Sequence, residues 1–423
     1  MLNNIKNAIW GIPTLAIIVI LGIKLIKETH ARALLHPIKV FKNTILSIDS
    51  NKSAFKSMCT ALGGTIGVGN TVGVAAAIYE GGAGALFWML VAGVLGITIK
   101  EAEIFLAVKF KPAFSKFSGP MYYIEKGIGS KAFARFWCFT CIFTSLGMGN
   151  AAQSMAVTTS FNEIFSIKKY ITALLLATLI LIILSGGGER IKNFSTAVVP
   201  FLTVLFILAC IIILFFQRSN LIPAIEKILT SSFNAKSGVA GFKWAGFSAA
   251  IRAGFSRGIF TNEAGLGSAS IVHSSSTVTD CEKQAMWGIV EVFIDTILIC
   301  FLTGLVILTS NIDISIISPE KITLIIFKNV FGNVGGIFYS FSMVFFAVAS
   351  IIAWYFYAQC ALDYLNADSY IKKSFLTLFI LTVFIGGVFR AQNTLIISDI
   401  FNGLMLLFNV SALLLLSKKA KIN

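Results

Sequence analysis

The sequence predicts an all-α polytopic membrane protein: ten core helices in two inverted sets of five, two of them broken, with one extra N-terminal helix, eleven transmembrane helices in all. Three observations predict it. First, 57% of the 423 residues are hydrophobic and only 13% charged, where a soluble domain carries roughly 25% charge. Second, apolar runs of about 20 residues, the length that spans the hydrocarbon core as a helix, recur along the whole chain. Third, two of those runs carry glycines and polar residues at their centres. A closed β-barrel, the other spanning architecture, needs short alternating segments that this chain lacks.

Eleven apolar segments are legible, at 8–27, 57–79, 83–108, 133–162, 170–186, 194–216, 243–272, 284–310, 334–362, 373–389 and 393–417. The first resembles a secretory signal but lacks a basic leader and a clear small-residue cleavage site, so it reads as a retained helix. With the N-terminus outside and strict alternation, inside loops hold about twice as many Lys and Arg as outside loops, as the positive-inside bias requires. The inside segments include "KLIKETHARALLHPIKVFK", "KFKPAFSKFSGP" and the tail "SKKAKIN"; the outside connection still carries Arg218, Lys227, Lys236 and Lys243. The net charge of +15 is thus explained by membrane topology and gives no reason to invoke nucleic acid. The seven cysteines form no CxxC pair and no metal-ligand spacing, and read as small core residues.

The chain divides into an extra helix with its cytoplasmic linker (1–50), a first five-helix set (51–216), an extracellular connection (217–242) and a second five-helix set (243–423). The first helix of each set is the unusual one. One contains "GGTIGVGN", residues 63–70; the other contains "SRGIFTNEAGLGSAS", residues 256–270. Glycine-interrupted helices at corresponding positions of two halves point to a secondary transporter built from inverted repeats, with its site at the two breaks. A broken helix exposes N–H groups at one half-helix and carbonyls at the other, suiting a carboxylate and a hard cation respectively. The alternative for the glycines is a small-residue packing face, and Gly63–Gly67 and Gly69–Gly73 do have GxxxG spacing. Packing alone does not account for Thr65 and Asn70 in the same stretch.

Further polar residues lie at membrane depth. Glu263 is an ionisable group in a spanning segment, read as a brace or gate, with Arg252 about three turns and Arg257 less than two turns upstream as partners in the bland reading. Phe260 and Asn262 flank the same break. Asn150 and Gln153 share a helical face, as do Ser350 and Trp354, where a hydroxyl suits a cation and an indole suits a pocket wall or ordinary packing. Glu291 and Asp295, four apart, read as partners for a basic residue or as proton carriers, the pairing being preferred; Asp295 is grouped with the structural or gating residues. His273, before a serine-rich stretch, reads as the start of a solvated loop.

These motifs resemble the alanine or glycine:cation symporter family, also called the sodium:alanine symporter family, of the amino acid–polyamine–cation superfamily. The resemblance covers nearly everything after residue 50. It rests on "CTALGGTIGVGNTVGVAAAI", "GGAGALFWMLVAG", "GNAAQ", "RGIFTNEAGLGSASIVH", "VFIDT" and "IIAWYFYAQCALDYL". It implies backbone contacts to a substrate carboxylate around Thr65, Gly67 and Gly69. It also implies that Gln153 meets the amino acid, that Ser350 and Trp354 line the pocket, and that a cation sits between carbonyls near Gly63 and Ile66 and the helix of Ser350. The chain departs from the family pattern at Val68, Ala349 and Gln359, where Thr, a hydroxyl residue and Glu are usual.

The expected function is Na⁺-driven symport of a small neutral amino acid, alanine or glycine, through the cell (inner) membrane in contact with lipid. The N-terminus is expected outside and the C-terminus in the cytoplasm, with Na⁺ as coupling ion and no cofactor, transition metal or nucleic-acid partner. The alternative is a proton-coupled carrier or exchanger using Glu263, Glu291 or Asp295. A membrane enzyme lacks any visible nucleophile–base pair, and a channel lacks a repeated filter loop.

Overall fold

The computed structural model describes residues 2–233, 240–389 and 392–421. Every regular element among them is helical. The chain starts with α1 (Leu2–Ile9) and α2 (Ile12–Glu28), joined at Gly11 with a proline in the first turn of α2. Two short helices, α3 (Arg32–Leu35) and α4 (Pro37–Asn43), occupy what the sequence suggests is linker. Then come α5 (Lys52–Thr65), a π-helical stretch Gly69–Gly73 continued by α6 (Val74–Gly81), and α7 (Gly84–Lys109). The short α8 (Pro120–Ile128) follows. Next, α9 (Lys131–Leu146) and α10 (Ala152–Phe165) meet through a π-helical turn at Gly147–Ala151. After them come α11 (Lys169–Leu184) and α12 (Gly187–Phe216).

The connection that follows is not an open loop: α13 (Leu221–Phe233) packs on α7, and Trp88 donates its indole N–H to the Ser232 carbonyl at 3.2 Å. Lys236 and the side chain of Lys243 lie outside the described residues. Next come α14 (Ala240–Asn262) and, after a break, α15 (Ser268–Ser274). The helices α16 (Cys281–Val292) and α17 (Phe301–Thr309) sandwich a π-helical stretch, Phe293–Cys300. The run Pro319–Tyr364, α18, turns at Gly332 (φ 65°), so its first third is a separate helix that the apolar pattern did not mark. The last two are α19 (Ser369–Val388) and α20 (Gln392–Leu416).

Seven helices among the described residues are long and apolar enough to cross a membrane, and α5 with Gly69–Gly81, bent by 51°, makes an eighth. Six of the seven cysteines are buried and all are free thiols, as small core residues should be.

α5 packs on α15 while α6 packs on α14, so the two broken helices run side by side in opposite directions. α7 packs on α16, α10 on α18, and α11 on α19. The N-terminal pair α1–α2 lies outside this arrangement, against α20 and α7.

Candidate functional site: two breaks and what fills them

The first break is made by side chains taking over backbone hydrogen bonds. Had α5 continued, Gly67 N–H would bond the Gly63 carbonyl and Val68 N–H the Gly64 carbonyl. Instead Gly67 N–H donates to the Asn70 side-chain oxygen at 3.0 Å, and Val68 N–H donates to the Gln153 side-chain oxygen at 3.1 Å. Ile66, with an extended backbone (ψ 114°), ends α5 just before these two residues. The diverted bonds leave the Gly63 and Gly64 carbonyls without their helical donors. The Ser350 hydroxyl reaches the Gly64 carbonyl at 3.0 Å. Carbonyls of α5 and a hydroxyl of α18 thus face each other in a dry setting, a donor set suited to a small hard cation.

Glycine at residue 67 lets Gln153 stay on Val68 N–H: a Cβ there would lie 2.8 Å from the Gln153 side-chain oxygen and push it away. Gly63 and Gly64 face Ala349 and Tyr357 closely, so the packing role allowed by the GxxxG spacing coexists with the break. Thr65 is buried and returns its hydroxyl to the Leu62 carbonyl at 3.1 Å. Gly69 lies against Phe260 and Thr261 of the second broken helix.

Asn70 joins the first break to the π-helical stretch between α16 and α17. Its amide nitrogen donates to the Asp295 carboxylate at 2.7 Å, and Thr296 donates to the other carboxylate oxygen at 2.7 Å. Thr261 sits 3.4 Å from Thr296. Among the described residues Asp295 has no ion-pair partner, so the expected pairing with a base fails there. It holds for Glu291, which meets Lys100 at 3.3 Å and His273 at 2.8 Å. His273 is therefore not at a solvated loop start. It is fully buried, with its second ring nitrogen 3.0 Å from Gln284, because α15 is driven into the core by its contacts with α5 and α7.

The second break is stitched shut by its neighbours. Glu263 (φ 55°), Gly265 (φ 91°) and Gly267 (φ 82°) turn the chain. Gly265 N–H donates to Glu103 of α7 at 2.9 Å, and Asn409 of α20 donates to the Gly265 carbonyl at 2.9 Å. Tyr123 in turn donates to Asn409, and Trp137 donates to the Leu266 carbonyl at 3.0 Å. Glu263 accepts a hydrogen bond from Ser268 across the break, and Asn262 caps Ala264 N–H at 2.9 Å. Neither Arg252 nor Arg257 pairs with Glu263. Arg257 is six residues upstream and so on a different helical face; it reaches Glu80 at 3.4 Å and Asp399 at 3.9 Å.

Trp354 is buried against Gly149 in the π-helical turn between α9 and α10 and packs edge-on to Tyr357. Among the described residues its indole N–H, the Tyr357 hydroxyl and the Asn262 amide nitrogen have no hydrogen-bond partner. Asn150 is tied to the α19 backbone, donating to the Phe379 carbonyl at 2.7 Å, so it fastens helices while Gln153 faces the break. A cavity of about 200 Å³ is lined by Val68 and Phe260 together with Arg257, Glu80 and Asp399.

The buried Lys100, Glu101 and Glu103 of α7, the Thr261–Thr296 pair and Asn409 were not singled out from sequence. The signal that finds them is the one that flagged Glu263: a polar or ionisable residue inside an apolar run.

A family model described as the sodium:alanine symporter family matches residues 1–423. The chain is 30% identical to the sodium/alanine symporter AgcS of Methanococcus maripaludis over 99% of its own length and 94% of that protein. It is 29% identical to the putative sodium/proton-dependent alanine carrier protein YrbD of Bacillus subtilis, over 99% and 90%. Among solved structures it resembles MhsT in complex with L-phenylalanine, with TM-score 0.62 at 16% identity, over 86% of this chain and 96% of that one; this likeness concerns the fold. These are membrane transporters and not enzymes. The chain is a multi-pass membrane transport protein that belongs to the sodium:alanine symporter family.

Proposed function

We propose that the protein is a Na⁺-coupled symporter that carries a small neutral amino acid, alanine or glycine, into the cell by alternating access. The observation that carries this reading is the diversion of Gly67 and Val68 N–H onto Asn70 and Gln153. It frees carbonyls of α5 beside Ser350 for a cation, and the half-helix that begins beyond these two bonded N–H groups, at Gly69 and Asn70, turns its N-terminal end to a carboxylate. In this reading Thr65, Gly67, Gly69 and Asn70 hold the substrate's carboxylate end, while Gln153, Phe260, Asn262, Ser350 and Trp354 wall the pocket. Na⁺ takes the carbonyls of Gly63 and Ile66 with the Ser350 hydroxyl. Glu263 braces the second break, Arg257 closes the cavity mouth, and Asp295 positions Asn70.

The neighbour pattern of the helices supports the division into 51–216 and 243–423 as inverted repeats. An odd number of helices per half, with antiparallel contact between like-placed helices, is what such inversion produces. With the N-terminus outside, the Arg257–Asp399 end faces the exterior and the C-terminus the cytoplasm of a cell (inner) membrane. Coupling is then a linkage: each ligand raises the other's affinity by one factor.

One observation favours proton coupling instead. Asp295 is fully buried, in direct contact with the first break through Asn70, and without an ion-pair partner among the described residues. A carboxyl so placed takes up a proton or a cation. Uptake of labelled alanine and glycine into proteoliposomes, under an inward Na⁺ gradient or an inward proton gradient, separates the two. Accumulation with Na⁺ alone supports the proposal. Accumulation with protons alone, abolished in Asp295→Asn, replaces it.

A further inference from the structure

The cavity beside Val68 and Phe260 carries a chain of alternating charges in its wall. Glu80 of α6 meets Arg257 of α14 at 3.4 Å, and Arg257 meets Asp399 of α20 at 3.9 Å. The chain does not stop there. Lys6 of α1 meets the other carboxylate oxygen of Asp399 at 3.3 Å. The Trp10 indole N–H, one turn further along the chain, donates to the Asp399 backbone carbonyl at 2.9 Å. The N-terminal segment is pressed onto the same face of α20: a Cβ on Gly403, one turn from Asp399, would lie 2.3 Å from Ile9 and 3.0 Å from the Trp10 indole nitrogen. Glu80 and Arg257 also line a second cavity of about 260 Å³, whose remaining wall includes Lys6, Asn7, Trp10 and Arg252. Their pair is thus the partition between a space bordered by the extra helix and the space that reaches the first break.

We propose that α1 is a working part of the closure that Arg257 makes, with Lys6 a positioning residue that shares Asp399 with Arg257 and so sets how firmly α14 and α20 are held together. The reason is mechanical and electrostatic. Opening the cavity mouth requires α14 to part from α20, which breaks the contact between Arg257 and Asp399. Lys6 and Trp10 fix the position and side-chain direction of Asp399 from outside the ten-helix core. Removing Lys6 leaves Asp399 with one cation and frees its side chain; removing the indole N–H releases its backbone. Both shift the equilibrium toward the open mouth. Lys24, on α2, is anchored differently, to the Leu414 carbonyl at 3.2 Å, and does not touch the charge chain.

The proposal rests on the reading of the 200 Å³ cavity as the entry path, and its test separates the two. Val72 lines that cavity. In a Cys281→Ser background, so that only buried native thiols remain, Val72→Cys is labelled with a membrane-impermeant maleimide in proteoliposomes, which needs no knowledge of the substrate. Lys6→Gln and Trp10→Phe are expected to raise the labelling rate about two- to fivefold, the factor that a partly exposed ion pair supports. Lys6→Arg is expected to restore it, and Lys24→Gln, which loosens the N-terminal segment without touching Asp399, is expected to leave it unchanged. Unchanged labelling in both Lys6→Gln and Trp10→Phe, with Arg257→Gln still raising it, overturns the role of α1 and keeps the entry path. Equal effects of Lys24→Gln and Lys6→Gln also overturn it, reducing α1 to general packing. No response even to Arg257→Gln removes both the proposal and the entry-path reading.

Discussion

The side-chain oxygen of Gln153 accepts the hydrogen bond of Val68 N–H at 3.1 Å, the bond that the Gly64 carbonyl would take in an unbroken helix. One side chain of α10 therefore helps to hold α5 open. Gln153→Ala leaves a buried N–H to seek a new acceptor, at a cost of about 1–3 kcal/mol if it finds none. The nearest remedy is to re-form the helix and close the site. Uptake is expected to fall at least about tenfold, the kinetic equivalent of 1.4 kcal/mol. Gln153→Glu, which keeps an acceptor at that position, is expected to retain more. Initial rates of labelled alanine uptake check both.

Gly67→Ala should be harsher on transport than on folding. The added methyl would lie 2.8 Å from the Gln153 oxygen, and Gln153 has a flexible side chain that can withdraw. The protein is expected to remain monodisperse in detergent with a modest drop in melting temperature, while substrate binding is lost because Gln153 no longer reaches Val68. Size-exclusion profiles and a binding assay on the same sample distinguish these effects.

Lys100, Glu291 and His273 form a fully buried cluster that fastens α7, α15 and α16. Removing one partner of a buried ion pair costs about 3–5 kcal/mol, because the other charge is stranded, whereas removing both is often nearly neutral. Lys100→Met alone is therefore expected to lower thermal stability sharply, and Lys100→Met with Glu291→Gln much less. Melting temperatures of the two single variants and the double variant test this non-additivity.

Much of the architecture is legible in the sequence because hydrophobic burial in lipid imposes long apolar runs. The glycine clusters at 63–70 and 256–270 mark the two breaks for the same reason: a central glycine costs about 1 kcal/mol relative to alanine and needs a purpose. What was not legible depends on which polar group meets which across the fold. Sequence spacing puts Arg257 near Glu263, but the helical face sends it to Glu80 and Asp399, the latter 142 residues away. His273 reads as solvated because serines follow it, yet α15 carries it into the core opposite Glu291. The short helices α8 and α13 are amphipathic but too brief to span a membrane, so a reading by long apolar runs passes over them. Asn150 and Gln153 share a face in sequence, but only the position of α19 shows that Asn150 is spent on the Phe379 carbonyl.

The Ser350 hydroxyl, 3.0 Å from the Gly64 carbonyl, is the one side-chain oxygen proposed for the cation. Ser350→Ala is expected to weaken Na⁺ activation by several-fold while leaving maximal uptake at saturating Na⁺ largely intact; Ser350→Thr is expected to preserve it. Uptake as a function of Na⁺ concentration reads the shift directly.

The central claim is that one interrupted helix holds a cation and an amino acid side by side. Its most direct test is equilibrium binding of labelled alanine and of glycine to the purified protein, each titrated with and without saturating Na⁺, with the reciprocal Na⁺ titrations. The account predicts that Na⁺ tightens binding of at least one amino acid, that this amino acid tightens Na⁺ binding by the same factor, and that Ser350→Ala shrinks both factors together. Binding of both amino acids independent of Na⁺ would contradict it.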